Sequence, residues 1–278
     1  MKIISNIAEI RQQRMKLPEP VGFIPTMGFL HEGHLSLIRN GRKACSSVVV
    51  SIFVNPAQFG PAEDLSSYPR DLKHDLKLLE KEGVDIAWVP REEILYPSDF
   101  QTWISVDNLS VSLEGRSRPG HFRGVATIVA KLLNVVQPHK VYFGQKDAQQ
   151  VAIMKQMVKD LNFPVEIVTC ETIRDTDGLA MSSRNSYLVG EERKAATVII
   201  RSLRAGQRAF ECGLRDGNQI RQIMKQVIDD EPLAQIDYVS CSDPLSLQEL
   251  DIISDGALLS LAVIIGKTRL IDNILLSQ

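Results

Sequence analysis

The chain has little of what marks a secreted, membrane or nucleic-acid-binding protein. Its 278 residues include only four cysteines, Cys45, Cys170, Cys212 and Cys241. None sits in a C-x-x-C pair, so no paired metal spacing appears, and free thiols in a reducing compartment are the reading they support. No apolar run approaches the ~18–20 residues of a membrane span. The longest, over 257–266, is ten residues and reads as a buried strand. The opening MKIISNIAEIRQQRMK has no long apolar core ahead of its charges, so no secretory signal is expected and a cytoplasmic location is. Charge of one sign is also lacking: 32 Lys+Arg against 34 Asp+Glu gives −2, without the basic footprint of a nucleic-acid binder. What remains, 44% hydrophobic and 24% charged, is ordinary globular composition with length for one large or two ordinary domains.

The first ~175 residues alternate strand-like and helix-like patterns. Residues 21–26 are a short apolar run, followed by a Gly/His turn and a helical spacing over HLSLIRNGRKAC. SVVVSIFV over 47–54 is β-branched and almost wholly apolar, as a strand buried on both faces should be. Leu72, Leu76 and Leu79 mark a helix over 71–82, closed by Gly83, and DIAWV over 85–89 reads as the next strand. A long apolar helix over 122–136, a strand over 140–143, a helix over 148–161 and a strand over 165–170 complete the series. This alternation predicts βαβ units and a parallel sheet, with the active loops at the strand carboxyl ends. The character changes at RDTDGLAMSSRN, residues 174–185, which reads as a linker or functional loop. Helices over 191–212 and 216–230, then strands over 236–241, 257–265 and 270–276, suggest a small α+β domain. The expected fold is therefore α/β: a Rossmann-like parallel-sheet domain, 1–174, followed by a smaller α+β C-terminal domain, 175–278.

Four segments could carry chemistry. In PTMGFLHEGH a strand stops and a helix starts, and a helix N-terminus offers unpaired N–H groups to phosphate. Gly28 and Gly33 are expected to clear room for a nucleotide, and His31 and His34, three apart, to share one side and donate to phosphate oxygens. Met181-Ser182-Ser183-Arg184 supplies hydroxyls and a fixed positive charge suited to a triphosphate. Gly144-Gln145-Lys146-Asp147, with Gln150, follows a strand end on the same rim, where Lys146 can neutralise phosphate and Asp147 can cap a helix or hold a ribose. FVNPAQF, with Asn55 and Gln58, places neutral amides at a strand end. Read alone, each has a plain structural alternative: a helix cap, a solvated turn, a capping Asp, a Pro turn.

Other signals fail. Gly266-Lys267-Thr268 resembles a P-loop tail, but Leu261 stands where the first Gly belongs and a strand follows instead of a helix. No G-x-G-x-x-G follows a strand. Asp71, His74 and Asp75 read as a solvated helix face, with Asp75 kept as a Mg²⁺ candidate.

Together the segments PTMGFLHEGHLSLI, SIFVNPAQF, YPRDL, GHFRGVATIV, KVYFGQKDAQQ and RDTDGLAMSSRN resemble the pantoate–β-alanine ligase family, in family order over most of residues 20–190. H-x-G-H with M-S-S-R is also similar to the wider nucleotidyltransferase superfamily. The resemblance implies a two-step ATP-dependent amide synthesis on the route to coenzyme A. Pantoate and ATP give pantoyl-adenylate and pyrophosphate, and β-alanine then gives pantothenate and AMP. It implies ATP contacts from Met27, Gly28, Phe29, Leu30, His31, Glu32, Gly33, His34, Gly144, Gln145, Lys146, Asp147, Ile173, Met181, Ser182, Ser183 and Arg184. Gln58 and Gln150 would hold pantoate, with Gln58 also near β-alanine, and His31, His34, Lys146 and Arg184 would be catalytic, His34 as proton donor. Mg²⁺ would bridge the ATP phosphates, the second domain would act as a lid, and the chain would form a homodimer through its first domain. The partners are small molecules, with no nucleic acid and no membrane. Where family members carry an acidic pair on the 71–82 helix, here His74 precedes Asp75, which leaves any protein ligand to Mg²⁺ open.

Two rival readings share parts of this pattern. A plain nucleotidyltransferase has H-x-G-H but would want extra basic residues for an acceptor phosphate, whereas Gln58 and Gln150 favour a small hydroxy acid. A nucleotide-binding module without catalysis should have a broken motif, and all four segments are intact.

Overall fold

The structure, a computed structural model, describes residues 1–61 and 63–277. Six strands form one parallel sheet: Lys2–Ile4 (β1), Val21–Thr26 (β2), Ser47–Ile52 (β3), Ile86–Trp88 (β4), Lys140–Gly144 (β5) and Glu166–Cys170 (β6). β3 is buried at every position, because helices cover the sheet on both faces. On one face Glu32–Ala44 (α2) and Leu72–Lys81 (α3) pack Leu35, Ile38 and Leu79 against Val48 and Val50. On the other, Ile7–Arg14 (α1), the short Glu92–Leu95 (α4) and Glu114–Ser117 (α5), and the long His121–Val136 (α6) and Ala148–Asp160 (α7) follow in chain order. Ile10, Val129 and Met154 there meet Val49 and Val141. β1 and α1 are additions to the sequence reading. Each buries a single residue, Ile4 and Ile10, so no apolar period was present to find.

The order of the sheet is β1-β4-β3-β2-β5-β6. The chain runs outward from β2 through β3 to β4, then crosses back to the other side of β2 for β5 and β6. Such a reversal opens a crevice at the carboxyl ends of the strands that flank it. The loops after β2 and β5 both open there.

Beyond residue 190 come Glu191–Ala195 (α8), Val198–Glu211 (α9) and Gly217–Asp229 (α10). They precede an antiparallel sheet of Ala234–Ser242 (β7), Gly256–Ile265 (β8) and Thr268–Ser277 (β9). The single helix expected over 191–212 is thus two. Thr197 donates its hydroxyl to the Lys194 carbonyl at 2.8 Å, and Ile199 N–H bonds Ala196 one residue short of helical spacing, so the ladder breaks between α8 and α9. One face of the small sheet packs Leu259, Leu261 and Val263 against Leu203, Phe210 and Met224 of α9 and α10. On the opposite face Leu258 meets Leu113 and Leu247.

Asn55 ties the β3 end to α6. It is 1% exposed, donates to Gln58 Oε1 (2.9 Å) and the Gly124 carbonyl (3.2 Å), and accepts from the Tyr96 hydroxyl. Its amide is committed to these bonds, and both Asn55 and Gln58 border the cavity described below. Gly124 allows the close approach, since a Cβ there would stand 2.1 Å from the Ala57 carbonyl oxygen. Gly124→Ala is expected to push the Gln58 turn off α6 and destabilise the fold by about 1–3 kcal/mol, despite the better helix propensity of Ala. Denaturant melting of the variant checks this.

Candidate active site

The loop after β2 bends sharply before α2 begins. Gly28 has φ +81° and Phe29 φ +50°, both in the left-handed region. Asp75 of α3 holds this bend: Phe29 N–H donates to its Oδ2 at 2.8 Å and Leu30 N–H to its Oδ1 at 2.7 Å. The solvated helix face expected of Asp71, His74 and Asp75 is therefore corrected for Asp75, which is 1% exposed. Asp71 instead caps α3 by accepting from His74 N–H, and the His74 side chain stays exposed. Burial pushes the Asp75 carboxyl up, and its two N–H bonds pull the other way. Both Asp75 oxygens thus accept a backbone N–H, and the side chain does not line the cavity described below.

His31 is the N-cap of α2, and the two histidines form a reciprocal capping box. His31 Nδ1 accepts Gly33 N–H at 3.2 Å, and His34 Nδ1 accepts His31 N–H at 3.3 Å. An accepting Nδ1 carries no proton, so each neutral ring bears its proton on Nε2. The rings lie 4.1 Å apart, tilted by 43°. Burial and the Lys146 charge lower His31 to about 4, and burial and the adjacent His31 lower His34 to about 3. Both are therefore neutral donors at pH 7. Gly33 serves this pair, since a Cβ there would meet the His31 ring at 2.9 Å. The bare Cα therefore leaves room for the His31 ring beside the cavity.

A cavity of about 570 Å³ opens over the strand ends. Met27, His31, Gly33 and His34 line it from the first loop. Gly144, Lys146, Asp147 and Gln150 face it from β5 and α7, and Gln58 from the β3 end. Ile173, Met181, Ser182, Ser183 and Arg184 complete the wall from the segment between the sheets. Ser183 Oγ donates to the Phe29 carbonyl at 3.4 Å, joining two of the predicted segments directly. Other expected ATP contacts do not line it. Leu30 is buried in the sheet core, Glu32 pairs with Arg39 on the surface, and Gln145 turns to Asn273. Gly28 packs beneath Asp75, and Phe29 offers this cavity no lining atom. The turn at Lys267 and Thr268, the failed P-loop resemblance, also lines it.

The sequence reading missed a charged pairing around the two arginines. Arg184 donates Nε and Nη2 to Asp64 at 3.0 and 2.8 Å, which leaves its Nη1 edge unspent. Burial works against the Asp64 charge, and the Arg184 pairing more than offsets it, so the carboxyl sits below its ordinary range. Arg118 likewise grips Glu63 and donates Nη1 to His121 Nε2 at 3.1 Å. His121 Nδ1–H donates to the Gln58 carbonyl at 2.8 Å, and burial and Arg118 lower the imidazole to about 4. A signal was present: Gly120-His121 opens a helix just as the Gly/His turn opens α2.

No group of three or more His, Cys, Asp or Glu side chains among the described residues could cage a metal.

Three imidazoles titrate near 3–4 in the fold against 6.5 when unperturbed. The unfolded chain thus binds more protons below pH 6.5, and stability is lost as pH falls from about 6.5 toward 4. Each group contributes up to about 1.4 kcal/mol per pH unit in that window. Thermal melting should show a lower Tm at pH 5 than at pH 7.5, with a shallower slope for His34→Gln.

A family model for pantoate-beta-alanine ligase matches residues 2–275. A pantothenate synthetase of Herpetosiphon aurantiacus is 56% identical over 277 residues, covering 99% of this chain and all of the relative. One of Roseiflexus sp. is 55% identical, with 99% of each chain covered. The crystal structure of pantothenate synthetase from Thermus thermophilus has a TM-score of 0.94 at 44% identity, over 99% of both chains. Pantoate-beta-alanine ligase from Francisella tularensis, complexed with beta-gamma ATP and beta-alanine, has a TM-score of 0.82 at 36% identity, over 99% of this chain and 97% of the other. Full-length identity of this order, on a chain whose H-x-G-H and M-S-S-R segments meet in one cavity, makes this protein a member of the pantoate–β-alanine ligase family.

Proposed function

We propose that the chain condenses pantoate with β-alanine, using ATP, to give pantothenate, AMP and pyrophosphate through a pantoyl-adenylate. The observation that carries this reading is the meeting of the histidine pair, Lys146, Arg184, Gln58 and Gln150 around one cavity. The Francisella tularensis relative, complexed with a nucleotide and β-alanine, supports the same substrate classes.

In the first step the pantoate carboxylate attacks the α-phosphorus and the bond to pyrophosphate breaks. A carboxylate, with pKa near ~4, is already the nucleophile at neutral pH, so the site must align it and neutralise charge. Gln58 and Gln150 are neutral amides that can hold pantoate without adding a like charge. Gln150 has no hydrogen-bond partner among the described residues. His31 and His34 offer Nε2–H to phosphate oxygens, and being neutral they lend polarity without giving up a proton. Lys146 and the free edge of Arg184 supply positive charge, with Ser182 and Ser183 beside them. Met27, Asp147, Ile173 and Met181 would bound the nucleotide. Magnesium would enter on the ATP phosphates and neutralise part of their charge.

In the second step the β-alanine amine attacks the acyl carbon and the bond to AMP breaks. The ammonium proton must leave first. His31 and His34 spend Nδ1 on backbone N–H groups, and His121 spends both ring nitrogens, so none of the three is a free base. The proton goes to water or to the departing phosphate.

We further propose the division into 1–174 and 175–278, a homodimer through the first domain and a cytoplasmic location. The sheets support the division, since the parallel one ends at Cys170 and Leu179 already packs in the second core. No helix among the described residues is long and apolar enough to cross a membrane.

The test is pantoate-dependent ATP–pyrophosphate exchange, which a plain nucleotide binder or a phosphate-ester nucleotidyltransferase lacks. His34→Ala should slow exchange by ~10²–10³, and an unchanged rate would remove its catalytic role. Gln150→Ala should raise the KM for pantoate by about tenfold, with kcat little changed.

A further inference from the structure

Asn273 sits on β9 of the second domain, yet its side chain serves a loop of the first. Its Nδ2 donates to the backbone carbonyls of Gln145 at 2.9 Å and Lys146 at 2.8 Å. Its Oδ1 accepts from Gln145 Nε2 at 3.1 Å. Both amide protons and the amide oxygen are thus used on two consecutive residues. Asn273 is 4% exposed, so water does not compete for these bonds.

The loop it grips has little else to hold it. Residues Gln145–Asp147 form one 3₁₀ turn between β5 and α7, with no side-chain cap. Among the described residues the Lys146 ammonium has one polar partner, Asp147 at 3.4 Å. Asn273 itself is firmly placed. It pairs with Ser260 in the β8–β9 ladder, and its N–H donates to Asp272 Oδ1 at 2.8 Å. Asp272, 2% exposed, in turn grips Arg174 at 2.6 and 3.0 Å. Asn is specified by the chemistry at this position: an aspartate would set negative charge against two carbonyl oxygens, and a shorter side chain would not reach.

We propose that Asn273 is a positioning residue for adenylate formation, setting the 145–147 turn so that the Lys146 ammonium meets the nucleotide phosphates. This rests on the reading of that turn as part of the ATP site. It makes the second domain a part of the nucleotide site through its strand β9 as well as through the 181–184 loop. Any movement of that domain carries the Lys146 turn with it or breaks three hydrogen bonds.

The experiment compares wild type, Asn273→Ala, Lys146→Ala and the double variant in the exchange assay, with a melting curve for each. Asn273→Ala should raise the KM for ATP about tenfold, as expected for lost positioning bonds, and leave the KM for pantoate within about twofold. Because Asn273 acts through Lys146, the double variant should be within about twofold of Lys146→Ala alone. An unchanged KM for ATP, an equal rise for both substrates, or multiplying effects in the double variant would overturn the proposal. Wild type without any exchange would instead sink the functional reading, and this inference with it. Should the alanine variant not fold, Asn273→Ser is measured in its place. If neither folds, Asn273 belongs to the fold alone and the proposal falls.

Discussion

Two backbone N–H groups, those of Phe29 and Leu30, end on one buried carboxylate, and much of the site follows from that. Left-handed backbone at a residue with a side chain costs on the order of 1–3 kcal/mol. A hydrogen bond to a charged acceptor returns about 1.5–3 kcal/mol, and Asp75 makes two. The bend at Gly28 and Phe29 is therefore held, and α2 starts where His31 can cap it. The cap then orients both imidazoles, since each Nδ1 is committed to a backbone N–H. A carboxylate two elements away on α3 thus decides which nitrogen of each histidine faces the cavity.

The charge pattern around the cavity is consistent with anionic ligands. Lys146, Arg118 and Arg184 cluster there, and the fields of Lys146 and Arg118 join burial in keeping the imidazoles neutral. Asp64 and Glu63 offset the two arginines from a loop beyond β3. Cations alone would repel one another in so confined a space. Paired with carboxylates the arginines can stand together, and Arg184, bound to Asp64 through Nε and Nη2, keeps its Nη1 side for an anion.

Directional polar contacts join the C-terminal sheet to segments around the parallel one. Arg269 binds Glu114 at 2.7 and 2.8 Å and, on its own sheet, Asp237 at 2.6 Å; Arg174 binds Asp272, and Asn273 binds the 145–146 backbone. Ser260 Oγ, buried without a partner among the described residues, lines a second cavity of about 50 Å³ beside Asn273. Apolar contact is limited to a small cluster around Leu113, Leu247 and Leu258. Such a contact is held in one geometry by bond direction.

Local pattern was enough to read the parallel sheet, most of its helices and the segments that line the cavity. Apolar period, Gly/His turns and polar strand ends are written in neighbouring residues, and the likeness to a family rests on those same short segments. β1 and α1 escaped because one buried residue each leaves no period, and α8 and α9 were merged because a single threonine side chain divides them. Asp75 looked solvated because a helix period cannot show that its outward face is covered by a loop 45 residues earlier in the chain. The same holds for Asn273, Arg118 and Asp64, whose partners lie 55 to 128 positions away. Which groups would bind was a property of residue type and spacing. Which of them meet, which imidazole nitrogen carries the proton and what holds Lys146 in place were decided only when the sheet order and the domain contact closed the distances.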